Sequence, residues 1–181
     1  SRPQECYQFG ISEDFKSIIN LRYALIPYLY SEYMKAVLSN TMFFKPLAFE
    51  YEKDERALRV EDQLLIGNEV MITPVYEQNS EGRYVYLPED MILIRWKDNR
   101  VVEQTAMKKG DYYISIPINE VVFFIRKGTV VPMAKPELST DKMNMNNVTL
   151  IGDTENHVPY KLYTDNGYTV SPSLEKGIKN L

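Results

Sequence analysis

The stretch LRYALIPYLYSEY, residues 21–33, is aromatic or aliphatic on almost every side of a helix, carries formal charge only at Arg22 and Glu32, and has a proline near its middle. It belongs to the one sustained helical pattern of the chain, residues 12–39, in which Phe15, Ile18, Ile19, Tyr23, Ile26, Tyr30 and Tyr33 recur at spacings of three and four. Ser12 is the expected N-cap, with Glu13 and Asp14 in the first turn, where acids suit the helix dipole. Pro27 has no amide hydrogen to give the carbonyl of Tyr23, so the helix is expected to kink or split there. So wide an apolar arc needs a substantial surface to pack on. On pattern alone, a core helix of the same domain satisfies that need as well as a partner does.

After residue 40 the pattern changes. Short candidate strands run at Phe43–Phe49, Asp62–Ile66, Val70–Val75, Arg83–Leu87, Met91–Trp96, Val101–Gln104, Tyr112–Ile116 and Val121–Arg126. Gly67-Asn68, Glu81-Gly82 and Pro88-Glu89-Asp90 punctuate them, and RKGT (126–129) reads as a hairpin-type turn into Val130-Val131. Strands this short, at this spacing, predict an antiparallel β-sandwich rather than alternating α/β units. The polar, proline-marked run 134–147 reads as a domain junction. Beyond it, Val148–Ile151, Pro159–Tyr163 and Tyr168–Val170, with a turn at Asp165-Asn166-Gly167, suggest a second β unit too small to hold a core alone. The expected division is 1–40 for the helical segment, 41–136 for the first sandwich and 137–181 for the linker and the start of a distal one.

Chemistry is harder to find. A net charge of -4 with scattered basic residues argues against a nucleic-acid surface. No apolar run is long enough to span a bilayer, and neither a membrane nor a nucleic acid is an expected partner. One cysteine, Cys6, excludes an internal disulfide framework and fits a reducing compartment, with the cytoplasm favoured. One histidine, His157, stands far from Cys6 with no ligand-spaced neighbours, so neither a metal site nor a cofactor is expected, and His157 reads as a surface loop residue. No nucleophile elbow or phosphate-cradling loop occurs. In principle any two of the 25 acidic residues can form a glycosidase pair, but the sequence marks out none. The 14 tyrosines are numerous enough to form a sugar-stacking platform, although tyrosines in strands read first as core or cross-strand pairs.

Several segments, in order, resemble one family. SRPQECYQFG followed by LRYALIPYLYSEY resembles the end of the catalytic barrel in family 31 of the retaining glycoside hydrolases, the alpha-glucosidase and alpha-xylosidase family. DQLLIGNEVMITPVYE, GRYVYLPEDMILIRW, IPINEVVFFIRKGTVVPM and YKLYTDNGYT resemble that family's later segments. Departures are small: Cys6 where proline is frequent, Asp90 and Met91 where a glycine is common, and Asn166 in place of a frequent aspartate.

The resemblance implies a mainly β fold. It consists of an antiparallel β-sandwich, the proximal carboxy-terminal domain, preceded by the last helix of a (β/α)8 barrel and followed by the start of a distal sandwich. It implies a carboxy-terminal piece of an enzyme that removes alpha-linked sugars from non-reducing ends, with an oligosaccharide or alpha-glycoside as substrate and the rest of the barrel as partner. The family's nucleophile and acid are aspartates on earlier barrel strands, and none of those motifs is present, so no residue here inherits a catalytic role and the piece alone is expected to be inactive. Arg2, Gln4 and Glu5 are the residues the analogy places nearest the catalytic rim, as supporting rather than reacting groups. Without the barrel, the apolar helix is expected to drive self-association. A non-catalytic carbohydrate-binding or docking sandwich is the alternative reading.

Overall fold

The computed structural model of the chain describes Glu5, Gln8 and residues 10–145, 147–164 and 178–181. The long helical pattern forms two helices, α1 (Ser12–Ala24) and α2 (Ile26–Ser39), divided at Leu25. Pro27 is the second residue of α2, where a missing amide hydrogen breaks no helical bond, so the proline splits the helix rather than kinking it. Ser12 is not the cap: it is already helical, Ile11 precedes it, and the first turn closes through the Phe15 amide on the Ile11 carbonyl at 3.2 Å. Asn40, left-handed at φ 52°, ends α2.

Among the described residues, twelve short strands follow: β1 (Phe44–Pro46), β2 (Leu64–Ile66), β3 (Val70–Ile72), β4 (Gly82–Leu87), β5 (Met91–Lys97), β6 (Arg100–Met107), β7 (Gly110–Ser115), β8 (Val121–Arg126), β9 (Val130–Ala134), β10 (Val148–Gly152), β11 (Lys161–Tyr163) and β12 (Ile178–Asn180). The stretch expected as one strand over Phe43–Phe49 is β1 alone. From Leu47 the chain turns into a single helical turn, α3 (Leu47–Glu50), because Leu47 is drawn completely into the core. Past Glu50, the helical segments among the described residues are two three-residue turns, Ala57–Arg59 and Thr140–Lys142.

The strands form a six-stranded antiparallel sheet in the order β1-β2-β3-β8-β5-β6, with β4–β7, β9–β10 and β11–β12 as separate pairs. RKGT does turn tightly, with Gly128 at φ 80°, yet it is no hairpin: β9 leaves the sheet and pairs with β10 instead. The β9–β10 register, Ala134 opposite Val148 and Val130 opposite Gly152, spans the polar run 134–147. The expected turn at 165–167 and strand at 168–170 lie outside the described residues.

Alternation along β5 and β8 explains the layering. Ile92, Ile94, Trp96, Phe123 and Ile125 point into one core, shared with Leu21, Ala24 and Tyr28 of the helices and with β9 and β10. Leu93, Val122 and Phe124 point into another, shared with Val85, Leu87 and Ile114 of β4 and β7. The six-stranded sheet is thus a middle layer, with the helices and β9–β10 on one side and β4–β7 on the other. Trp96 ties the helical side down, its indole Nε1 donating to Ser17 O at 3.0 Å and lying 3.1 Å from Ser17 Oγ.

Candidate functional site

Of the three residues expected near a catalytic rim, Arg2 and Gln4 lie outside the described residues. Glu5 is exposed, and its Oε2 accepts from Gln8 Nε2 at 3.0 Å. No group of three or more His, Cys, Asp or Glu side chains able to hold a metal occurs among the described residues. His157 sits in a loop with its Nδ1 3.0 Å from the Val158 carbonyl oxygen.

The most elaborate polar assembly lies between α2 and the β2–β3 turn. Tyr28 and Glu32, one helical turn apart, face that turn and are each only 1% exposed. The Tyr28 hydroxyl donates to the Ile66 carbonyl at 2.5 Å and accepts from the amides of Glu69 at 3.2 Å and Val70 at 3.1 Å. Glu32 Oε2 accepts from the Asn68 amide at 3.0 Å, while Oε1 accepts from the Tyr160 hydroxyl at 3.0 Å and pairs with Lys35. Gly67, at φ 68°, is the residue that lets the turn come this close: a Cβ there would stand 2.3 Å from Glu32 Cγ. Ser31 adds a tie to the far end of the chain, its Oγ accepting from the Tyr163 amide at 2.9 Å.

A second carboxylate enters the same seam. Glu69 pairs with Lys35 at 3.9 Å, and its Oε2 is buried with no hydrogen-bond partner among the described residues. Burial, and then the negative charge of Glu32, push the Glu69 carboxyl up to about 7. Burial, followed by the charges of Glu32 and Glu69, likewise holds the Tyr160 hydroxyl protonated far above its ordinary range. A pair of neighbouring carboxyls can suit acid–base chemistry. Here they lie among α2, the β2–β3 turn and Tyr160, with the Glu32 side chain 1% and the Glu69 side chain 13% exposed, and what they do is hold a helix to a sheet. The sequence carried one signal for this: Glu32 is the single acid in an otherwise apolar stretch.

The two faces of α2 are unequal in an unexpected sense. The face on the sandwich holds Ser31 and Glu32 beside Tyr28 and Ala36. The outward face carries Tyr33, Val37 and Leu38, all exposed. Ile18 and Ile19 extend the exposed apolar surface along α1.

Residues 40–131 match the family model described as the glycosyl hydrolase family 31 C-terminal domain. Alpha-glucosidase 2 of Bacillus thermoamyloliquefaciens is 29% identical over 97% of the chain, which covers 22% of that protein. Lysosomal alpha-glucosidase of Bos taurus is 28% identical over 83% of the chain, covering 17% of that protein. Among solved structures, a GH31 dextranase of Flavobacterium johnsoniae in complex with isomaltotriose superposes with a TM-score of 0.73 at 24% identity, over 91% of this chain and 20% of the dextranase. The chain therefore spans about a fifth of the length of these relatives. With the motifs, the layered β fold and the family match in agreement, the chain belongs to glycosyl hydrolase family 31, of which it carries the C-terminal domain.

Proposed function

We propose that the chain is the carboxy-terminal portion of a retaining α-glycosidase of the α-glucosidase type, and that its own task is structural. Residues 1–40 are the end of the catalytic barrel, 41–136 the proximal sandwich and 137–181 the linker and beginning of a distal β-domain. The parent enzyme cleaves alpha-linked sugars from non-reducing ends by double displacement. One carboxylate attacks the anomeric carbon as the other protonates the leaving oxygen; the second then deprotonates the water that releases the sugar. Both carboxylates are supplied from outside these 181 residues.

The observation that carries this reading is the outward apolar face of α1 and α2. A helix that turns Ser31 and Glu32 inward and Tyr33, Val37 and Leu38 outward is built to pack on something more apolar than its own sandwich. A barrel's closing helix has such a neighbour in the barrel strands.

Two results are expected. The full-length enzyme hydrolyses 4-nitrophenyl α-glucoside and releases α-glucose first, seen by proton NMR, whereas the 181-residue chain reads as buffer does. Release of β-glucose would overturn the retaining mechanism; turnover by the chain that disappears on mutating one of its own acids would overturn its structural role. In isolation the chain is expected to hide the helical face against a second copy, and light scattering should give a mass above that of the monomer. A monodisperse monomer at micromolar concentration would show that the face needs no cover.

A further inference from the structure

On the layer opposite the helices, Tyr76, Tyr84 and Tyr113 open on a cleft of about 360 Å3. They are 68%, 75% and 57% exposed, so a cross-strand pairing role leaves most of their surface unused. Tyr84 and Tyr113 are partners across β4 and β7, with ring centroids 5.2 Å apart and planes inclined at 69°. They make a corner rather than a stack. Gly82 leaves room for it: a Cβ there would stand 3.0 Å from the Tyr113 hydroxyl and 2.3 Å from the Ile114 carbonyl oxygen.

The polar wall of the cleft is fixed in advance. Arg83 Nη1 donates to the carbonyls of Asp62 at 3.1 Å and Pro74 at 2.7 Å, and its Nη2 pairs with the Asp62 carboxylate at 2.5 Å. The Tyr76 hydroxyl donates to Asp62 Oδ2 at 3.2 Å, and the guanidinium lies 5.7 Å from the centre of the Tyr76 ring. Glu77 and Ser80, 3.4 Å apart, form another part of the rim.

This chemistry selects a class of ligand. Asp62 already neutralises Arg83, and Glu77 repels an anion. A cation would meet the Arg83 guanidinium. A purely apolar ligand would take rim carboxylates and hydroxyls out of water without replacing the hydrogen bonds that water gives them. A pyranose satisfies both halves, with apolar C–H faces for aromatic rings and hydroxyls for a polar rim. We propose that this cleft is a subsite for a neutral glycan chain, with one sugar seated in the Tyr84–Tyr113 corner and its hydroxyls turned to the rim around Asp62, Glu77 and Ser80. The choice of an α-linked glucan as that chain rests on the glycosidase reading above. Because the cleft and the apolar helical face lie on opposite layers, a barrel docked on α1 and α2 leaves the cleft open.

The test is affinity electrophoresis of the full-length enzyme in gels containing dextran or glycogen, with an iminosugar filling the catalytic pocket. The wild type should be retarded. Tyr84→Ala and Tyr113→Ala should each weaken retention about tenfold, a loss of about 1.4 kcal/mol, and together abolish it, with melting temperatures close to wild type. Tyr84→Trp should keep retention because it keeps a ring face. An unretarded wild type, or retardation unchanged in the double variant, overturns the proposal. Hydrolysis of an aryl α-glucoside by the wild type reports the glycosidase reading separately: turnover without retardation sinks the cleft alone, and tyrosine-dependent retardation without turnover sinks the glycosidase reading alone.

Discussion

Truncating Tyr28 to alanine should cost about 4 kcal/mol or more and release α2 from the sandwich. The ring is almost fully buried and packs 6.1 Å from that of Tyr160, over which Lys35 Nζ lies at 3.8 Å. Emptying an aromatic site of this kind costs roughly 3–5 kcal/mol before any polar loss. The hydroxyl adds to it, because its removal strips the Ile66 carbonyl and the Glu69 and Val70 amides of a shared partner. Each such group left unpaired in a buried place costs about 1–3 kcal/mol. A domain of this size has about 5–15 kcal/mol in all, so the alanine variant should be close to losing the docked helix. Tyr28→Phe separates the contributions by keeping the ring, and should cost about 1–3 kcal/mol. Urea unfolding of both variants measures this, and an alanine variant within about 1 kcal/mol of wild type would show that Tyr28 does not hold the junction.

The same junction should make the chain more stable in mild acid than at neutral pH. Glu69 is raised from an ordinary value of 4.5 to about 7, by burial and then by Glu32. The groups facing it are Tyr28, Glu32 and Lys35 from α2 and Tyr160 from the segment before β11. Below pH 4.5 the carboxyl is protonated whether the chain is folded or not, and its contribution is fully present. Between 4.5 and 7 the unfolded chain gives up the proton while the fold retains it, so the contribution fades and is lost as pH rises through about 7. At about 1.4 kcal/mol per pH unit between 4.5 and about 7, the full loss is roughly 3–4 kcal/mol. Glu103, held below its ordinary range by Arg95, and Asp54, held low by Lys109 and Tyr86, act in the opposite sense at more acidic pH. Urea midpoints should therefore fall from pH 5 to pH 7.5 in the wild type, and Glu69→Gln should flatten that slope. Equal slopes in both proteins would remove Glu69 from the account.

The sequence disclosed local events better than distant ones. Pro27 announced the division between α1 and α2, and glycine and proline punctuation placed most strands, because both signals act within a few residues. Pairing was not legible: nothing in RKGT says that β8 stays in the sheet while β9 leaves it, since that depends on residues 148–152. Glu32 and Glu69 meet only because Gly67 lets the β2–β3 turn press on α2. Alternation also fails to sort Tyr84 from Tyr86, which share a parity on β4 but are 75% and 5% exposed. What separates them is a cover from elsewhere: Asp54 accepts from the Tyr86 hydroxyl at 2.7 Å, and Arg56 lies 5.6 Å from its ring centre. Among the described residues no such cover reaches Tyr84.

Strand order also sets a timetable for synthesis. β8 lies between β3 and β5, so the β1–β2–β3 meander and the β5–β6 hairpin cannot join into one sheet until residue 126 has left the ribosome. The inner face of α2 waits longer, because Tyr160 and the Tyr163 amide, which close over Glu32 and Ser31, are made more than a hundred residues after the helix. Contacts so far apart in sequence form slowly. A nascent chain therefore carries this helix with its sandwich face incompletely covered until Tyr160 and Tyr163 have been made, and that interval is when the face is most open to chaperones and to mispairing with other chains.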